Sequence, residues 1–372
     1  MLVYQIILIL NYIQLRVNIV PISMKIKEYQ NKNILKGMNL DEIIEWCEEN
    51  GYSSYRAKQI YQWMYRHGLQ SVNEMSNVSK KLRNDIESHC ILSTLEVEKI
   101  DKSKVEPTQK ILFKTKDNHF IEAVSMVDDN RHTICLSSQI GCNVDCSFCA
   151  TASMGLIRNL LTGEIIDQAI IIRNLVKEPI TNVVFMGMGE PFLNYNRVLD
   201  AADILHSHYG FGLGARRITI STAGIVPKIN RFIKENRKYK LAISLNATEN
   251  DTRQKLMPLN RNWPIEDIIK SASVFAARRN HNVMFEYVLL KGINDSEKDA
   301  LQLAQLLKGI PCKLNLIPYN ETDGIYQRPD ETVIIRFSEI LHENRDEYRV
   351  LVRWSKGQDI NAGCGQLAGQ KI

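Results

Sequence analysis

The sequence predicts an α/β protein, a partial (β/α)6 barrel with a small helical N-terminal domain and a short β linker in front of it. Three observations carry the prediction. From about residue 132, short apolar runs alternate with amphipathic helical stretches, the pattern of parallel strands joined by helical crossovers. Between residues 39 and 90 the hydrophobic period is helical. Polar and glycine-rich motifs gather just after the apolar runs, at the carboxyl ends of the expected strands, where parallel β/α folds place their active sites.

Residues 1–38 read as an N-terminal extension. The apolar run Ile6-Ile7-Leu8-Ile9-Leu10 is interrupted by Gln5, Asn11, Gln14, Arg16 and Asn18, well short of the roughly 20 residues that span a bilayer. No basic run precedes it and no small-residue cleavage site follows. The first 23 residues are therefore expected to be dispensable, with Met24 as the working start, and the protein to be cytoplasmic. Residues 39–94 form the expected helical accessory domain. Asn39 can cap a first helix, with Glu42 at the reciprocal position and Gly51 as the stop. A second helix over 55–66 puts Ile60, Trp63 and Met64 on one face, and a third follows over 78–88. Between Gly51 and Arg83, Arg56, Lys58, Arg66, Lys80, Lys81 and Arg83 stand against the single acid Glu74, interleaved with Tyr55, Tyr61 and Tyr65. That is either a solvated face or an RNA-binding one. Residues 95–126 read as the β linker. From 127 to 372 the barrel domain has expected strands at 133–137, 182–186, 217–221, 240–245, 283–289 and 313–318. Expected helices lie at 164–176, 197–206, 265–278, 296–307 and 333–342. Six such units are too few for a closed eight-stranded barrel.

The 372 residues are 44% hydrophobic and 24% charged, with a mean hydropathy of -0.22. This excludes a disordered chain and a polytopic membrane protein. A net charge of +5 permits a nucleic-acid partner without requiring one. Of the eight cysteines, three fall within eight residues of a long chain, which points to metal or redox chemistry rather than a disulfide scaffold.

Those three form Cys142-Asn143-Val144-Asp145-Cys146-Ser147-Phe148-Cys149, on the loop after the first barrel strand. Three thiolates on one loop can hold three corners of a 4Fe–4S cube and leave one iron open. A structural zinc site would want a fourth nearby ligand, and no Cys or His lies between Cys149 and His206. One unit later comes Gly187-Met188-Gly189-Glu190-Pro191, whose glycines permit close backbone approach and whose Glu190 can accept from an amino group. Ser221, then Ser244-Leu245-Asn246, then Asn320 end later strands. Each alone reads as a strand-end cap; together on one rim they outline a nucleoside pocket. Cys364 stands between Gly363 and Gly365 near the C-terminus, a thiol with bare backbone on both sides. Cys135, on the first barrel strand, reads by itself as a small core residue, as do Cys47, Cys90 and Cys312.

The C-x3-C-x2-C loop is the signature of the radical S-adenosylmethionine superfamily. Taken with Ser147-Phe148-Cys149-Ala150-Thr151, Gly155, Arg158-Asn159-Leu160, the Gly-Met-Gly-Glu-Pro-Phe-Leu-Asn run and Ala362-Gly363-Cys364-Gly365-Gln366-Leu367, it resembles the bacterial adenine-2 methyltransferases of rRNA and tRNA over residues 39–370. The resemblance implies methylation of carbon 2 of adenosine in the peptidyl-transferase region of 23S rRNA and just 3′ of some tRNA anticodons. It implies a 4Fe–4S cluster on Cys142, Cys146 and Cys149, and an S-adenosylmethionine site lined by Gly189, Glu190, Ser221, Ser244, Leu245, Asn246 and Asn320. Cys364 would carry the methyl group, Cys135 would be its disulfide partner and Glu122 the proton acceptor. Two S-adenosylmethionine molecules are consumed per turnover: one methylates Cys364, the other is cleaved to the radical that activates the S-methyl group. A monomer, no membrane and an electron donor such as flavodoxin or ferredoxin complete the expectation. One departure stands out: the family's Ser-Leu-His reads Ser244-Leu245-Asn246 here. The competing readings are a sibling adenine-8 rRNA methyltransferase associated with antibiotic resistance, a radical enzyme that activates a partner protein, and an RNA-binding assembly factor with a structural metal. Pro191 after Glu190, where the sibling usually has Ala, favours carbon 2.

Overall fold

The computed structural model describes residues 33–69, 71–278, 283–322, 324–346 and 348–369. The expectation for residues 1–23 lies outside them. Strand β1 (Asn33–Ile34) leads into α1 (Leu40–Glu49), which starts with the reciprocal cap expected from the sequence. The Asn39 side chain accepts from the Glu42 N–H at 3.0 Å, and the Glu42 carboxylate accepts from the Asn39 N–H at 2.7 Å. Helix α2 (Ser54–Tyr61) widens into a π-helical turn over Gln62–His67, closed by Gly68 in the left-handed region. Helix α3 (Lys80–His89) is capped by Ser79. Ile43, Trp46, Ile60, Met64, Leu82 and Ile86 bury together between the three helices. Strand β2 (Cys90–Ile91) returns beside β1 in parallel.

Next comes an antiparallel meander, β3 (Leu95–Lys102), β4 (Thr108–Thr115), β5 (Phe120–Asp128) and β6 (Arg131–Cys135). A small ribbon, β7 (Gln139–Gly141) and β8 (Leu156–Asn159), frames the cysteine loop and the short α4 (Ala150–Ser153). The remaining elements alternate: α5 (Thr162–Leu175), β9 (Asn182–Phe185), α6 (Tyr195–His206), β10 (Ile218–Thr222), α7 (Val226–Lys234), β11 (Lys240–Ser244), α8 (Asn250–Leu256) and α9 (Ile265–Ala276). After these follow β12 (Val283–Leu289), α10 (Glu297–Leu306), β13 (Cys312–Pro318), α11 (Glu331–Asn344) and β14 (Arg349–Val352).

Ten strands form one sheet in the order β14-β13-β12-β11-β10-β9-β6-β5-β4-β3. From β6 onward every neighbour is parallel, so the barrel part is open, as the sequence predicts. Two features differ from the sequence reading. The strands of the linker segment are continuous with the barrel sheet, because β6 pairs with β5 on one side and β9 on the other. A seventh parallel strand, β14, forms the other edge; it is only four residues long, with Arg349 and Leu351 exposed, and its apolar run is the short Val350-Leu351-Val352. Register then sorts the side chains. Leu241, Ile243, Phe285 and Tyr287 pack outward under the helices, while Ser244, Glu286 and Asn315, aligned across β11–β13, face the barrel interior. Among the described residues no helix is long and apolar enough to cross a membrane.

The helical domain is fixed to the barrel through α5. Asp167 accepts from the Thr94 N–H at 2.5 Å and the Thr94 hydroxyl at 2.7 Å, and pairs with Lys36 at 3.3 Å, both charges being buried. Arg173, on the same helix, donates to the carbonyls of Tyr65 and Arg66. Gly37 and Gly163 make the close approach possible: a Cβ on Gly37 would lie 2.4 Å from the Gly163 nitrogen. Removing one member of a buried ion pair strands the other. Asp167→Ala is thus expected to cost about 3–5 kcal/mol in urea unfolding, and to speed proteolysis near residue 93. The double variant Lys36→Met/Asp167→Leu, with no charge left to strand, should recover part of the loss.

Candidate active site

The carboxyl ends of β9–β13 and the loops after them enclose a cleft of about 970 Å³. Cys142, Cys146 and Cys149 line one side and Cys364 is in the same wall; Gly189, Glu190, Ser221, Ser244, Asn246 and Asn320 line it too. Three of the sequence-chosen residues do not. Leu245 is fully buried and its carbonyl accepts from Arg253. Cys135 sits on β6 beneath the rim, and Glu122 on the neighbouring β5.

The cysteine loop is shaped by backbone. Gly141 and Asp145 take positive φ, the Cys142 N–H donates to the Gly155 carbonyl at 3.0 Å, and the Ser147 N–H to the Leu256 carbonyl of α8 at 3.0 Å. Burial pushes the Cys142 thiol up to about 12 and raises Cys146 as well. Thiolates are thus disfavoured in the bare protein, and a cationic iron core is what would reverse that. Among the described residues no three His, Cys, Asp or Glu side chains converge on a single-ion site. The donor set does fit an open-cornered cluster with a bound aminoacyl ligand. Three thiols share one loop, and in the lining of the same cleft Glu286 Oε2 and Asn320 Oδ1 are buried with no hydrogen-bond partner.

Glu190 and Asn246 also hold backbone. Glu190 accepts from the N–H groups of Phe192 at 2.9 Å and Ala223 at 2.7 Å, and burial pushes its carboxyl up to about 7. Asn246 adopts φ +59°, which Asn tolerates, accepts from the Val288 N–H at 2.9 Å and donates to the Met257 sulfur.

The Cys364 loop is stapled on three sides. The Ala150 N–H donates to the Gly365 carbonyl at 2.8 Å and the Thr151 hydroxyl to the Leu367 carbonyl at 2.6 Å, joining it to the cysteine loop. Asn320 Nδ2 donates to the Cys364 carbonyl at 3.1 Å; Gly363 leaves room for that, since a Cβ there would lie 2.6 Å from the Asn320 side chain. Glu122 accepts from the Ala368 and Gly369 N–H groups at 2.8 and 3.2 Å while paired with Lys110 at 3.2 Å. Cys364 and Cys135 are both free thiols within electrostatic reach of each other and of Arg353. Burial pushes Cys135 up to about 12 and raises Cys364, and the Arg353 guanidinium opposes both.

Sequence reasoning missed Glu286, Arg253 and Arg353. Glu286 had a signal, a lone acid inside an otherwise apolar strand. Arg253 had none, being one more polar residue on a short helix, and Arg353 follows the strand that the sequence did not reveal.

Residues 136–304 match the Radical SAM superfamily and residues 32–92 match the Ribosomal RNA large subunit methyltransferase N-terminal domain. The fold and the cysteine-lined cleft are those of a radical S-adenosylmethionine enzyme, which uses a 4Fe–4S cluster together with S-adenosylmethionine. The crystal structure of a radical SAM methyltransferase from Sphaerobacter thermophilus superposes with a TM-score of 0.87 at 41% identity, over 91% of this chain and 100% of that one. The dual-specificity RNA methyltransferase RlmN of Desulfosudis oleivorans is 40% identical over 338 residues, 90% of each chain. A probable RlmN of Clostridium botulinum is 42% identical over 337 residues, 90% of this chain and 96% of its own. The chain belongs to the RlmN family of dual-specificity RNA methyltransferases.

Because Glu122 holds two N–H groups of the segment after Cys364, Glu122→Ala is expected to loosen that segment more than the sheet. Hydrogen–deuterium exchange over residues 361–369 should accelerate by roughly tenfold, the loss of about one hydrogen bond's worth of local stability, while β9–β13 exchange as before.

Proposed function

We propose that this chain methylates carbon 2 of adenosine in the peptidyl-transferase region of 23S rRNA and 3′ of the anticodon in tRNA, acting as a cytoplasmic monomer. The observation that carries the proposal is that Cys364 lines the same cleft as Cys142, Cys146 and Cys149, with Cys135 within electrostatic reach of it and Glu122 bonded to the segment that follows it. Carbon 2 of adenine is not nucleophilic, so a polar methyl transfer cannot reach it. When bound, the cluster supplies the electron that cleaves S-adenosylmethionine homolytically.

The chain's own residues do the rest. Cys364, as thiolate, displaces the methyl group from a first S-adenosylmethionine; the Arg353 charge nearby favours that thiolate against the cost of burial. A second S-adenosylmethionine is consumed when the S-methyl group is activated, which joins Cys364 to the ring. Glu122, in the seat it holds against Ala368 and Gly369 and beside Lys110, accepts the ring proton. Cys135 then attacks the Cys364 sulfur, the carbon–sulfur bond breaks toward the product, and the two sulfurs are left as a disulfide. A thiol reductant returns that disulfide to two thiols; a flavodoxin- or ferredoxin-type donor supplies the single electron that cleaves the cofactor, and the unpaired electron left by ring addition passes back to such a one-electron carrier.

RNA would lie along the helical domain. Arg66 and Lys80 are exposed there, and Lys58 stacks over Tyr209 at 4.1 Å, which carries the basic surface across onto the barrel.

Cys135→Ala separates the steps. It should leave Cys364 methylation, cofactor cleavage and ring addition intact and stop before release. The expected product is an RNA–protein adduct that survives denaturing electrophoresis and vanishes with RNase, and Cys135→Ala/Cys364→Ala should form none. Normal multiple turnover by Cys135→Ala would overturn the two-cysteine scheme. The cluster ligands are tested separately. Cys146→Ala should lose the brown iron–sulfur absorbance after reconstitution, since two thiolates do not hold a cube.

A further inference from the structure

Arg253, on α8, is the largest fully buried side chain among the described residues. Its guanidinium donates to the carbonyls of Leu245 at 3.0 Å, Ala223 at 2.6 Å and Ser244 at 3.2 Å, and to Asn260 Oδ1 at 3.0 Å. Every acceptor is neutral. Among the described residues no carboxylate pairs with it. Glu190, which accepts from the N–H of the same Ala223, makes no ion pair with it either. Buried charges are ordinarily paired or bound to something of opposite sign, because an isolated one is costly.

The missing counter-charge has a natural source. The next turn of α8 receives the cysteine loop: the Ser147 N–H and hydroxyl both donate to the Leu256 carbonyl, at 3.0 and 3.4 Å. Cys146, one residue earlier, is within electrostatic range of Arg253, and each favours the other's charged form. A 4Fe–4S cube in its oxidised state carries two positive charges, and three thiolates bring the assembly to one negative; taking up one electron makes it two. Arg253 is not among the residues that line the cleft.

We infer that Arg253 is a positioning residue that supplies the fixed positive charge beside the cluster, raising its reduction potential so that a low-potential one-electron donor can fill it. The inference rests on the cluster reading above. Its hydrogen bonds hold the ends of β10 and β11, where Ser221 and Ser244 face the cleft, so one side chain ties the cofactor rim to the electrostatics of the iron site.

Charge and hydrogen bonding can be separated by three variants of the full chain, each reconstituted and checked for iron content before anything else is measured. Arg253→Gln removes the charge. Arg253→Lys keeps the charge and loses the planar fork. Asn260→Asp keeps the fork, with the shape of the site nearly unchanged, and places a carboxylate on the guanidinium. The readout is the midpoint potential of the one-electron couple, followed by electron paramagnetic resonance. A charge role groups Arg253→Gln with Asn260→Asp: both should shift to more negative potential, by about tenfold in the reduction equilibrium or about 59 mV, with Arg253→Lys near the parent. A purely structural role groups Arg253→Gln with Arg253→Lys and spares Asn260→Asp, and that result would overturn the inference. An unchanged potential in Asn260→Asp overturns it even if Arg253→Gln fails to fold. Absence of iron from the parent chain would instead sink the cluster reading.

Discussion

The site depends on the attachment of the Cys364 loop to the cysteine loop. Residues more than two hundred positions apart meet through the Ala150 N–H on the Gly365 carbonyl and the Thr151 hydroxyl on the Leu367 carbonyl. Under the proposed mechanism Cys364 has to be within reach of the radical source and cannot search for it. The loop is irregular, with Asn361 and Gly365 at positive φ, so it has no helix or strand ladder to keep it in place. Its order comes from partners elsewhere: α4, Asn320 at the end of β13, and the Glu122 carboxylate on β5. The meander that reads as a linker in the sequence is therefore part of the catalytic architecture.

Burial and charge oppose each other throughout the cleft. Desolvation drives the thiols of Cys135, Cys142, Cys146 and Cys364 toward their neutral forms and lifts Glu190 and Glu286. Against this stand two cations that motif reading does not reveal, Arg353 beside Cys135 and Cys364 and Arg253 beside the cysteine loop. A dry interior makes each of these charges act farther than it would in water. Anionic groups can then form in the cleft despite the cost of burial.

The clamp between the helical domain and the barrel has a different physical character. Asp167, Lys36 and Thr94 form a small, dry, fully bonded polar cluster, which favours one docking geometry over many. For an enzyme whose substrate is a folded RNA, a fixed angle between the basic helical surface and the mouth of the cleft turns binding affinity into positioning.

The sequence by itself determined the chemistry and the alternation of elements. Three thiols spaced along one loop, glycines after an apolar run and a Gly-flanked cysteine are local patterns, and hydrophobic period separates the three-helix segment from the β/α units without any knowledge of packing. What only the tertiary structure decided is pairwise. That Glu286 and Asn315 face the same interior as Ser244 follows from inter-strand register; that Glu190 and Asn246 spend their side chains on backbone groups, that β14 completes the sheet, and that Glu122 secures the Cys364 loop, all follow from contacts distant in sequence. Arg253 shows the limit most plainly. A charged residue on a seven-residue helix has the same local pattern whether it faces water or is sealed inside the protein, and burial, which the fold alone sets, decides which.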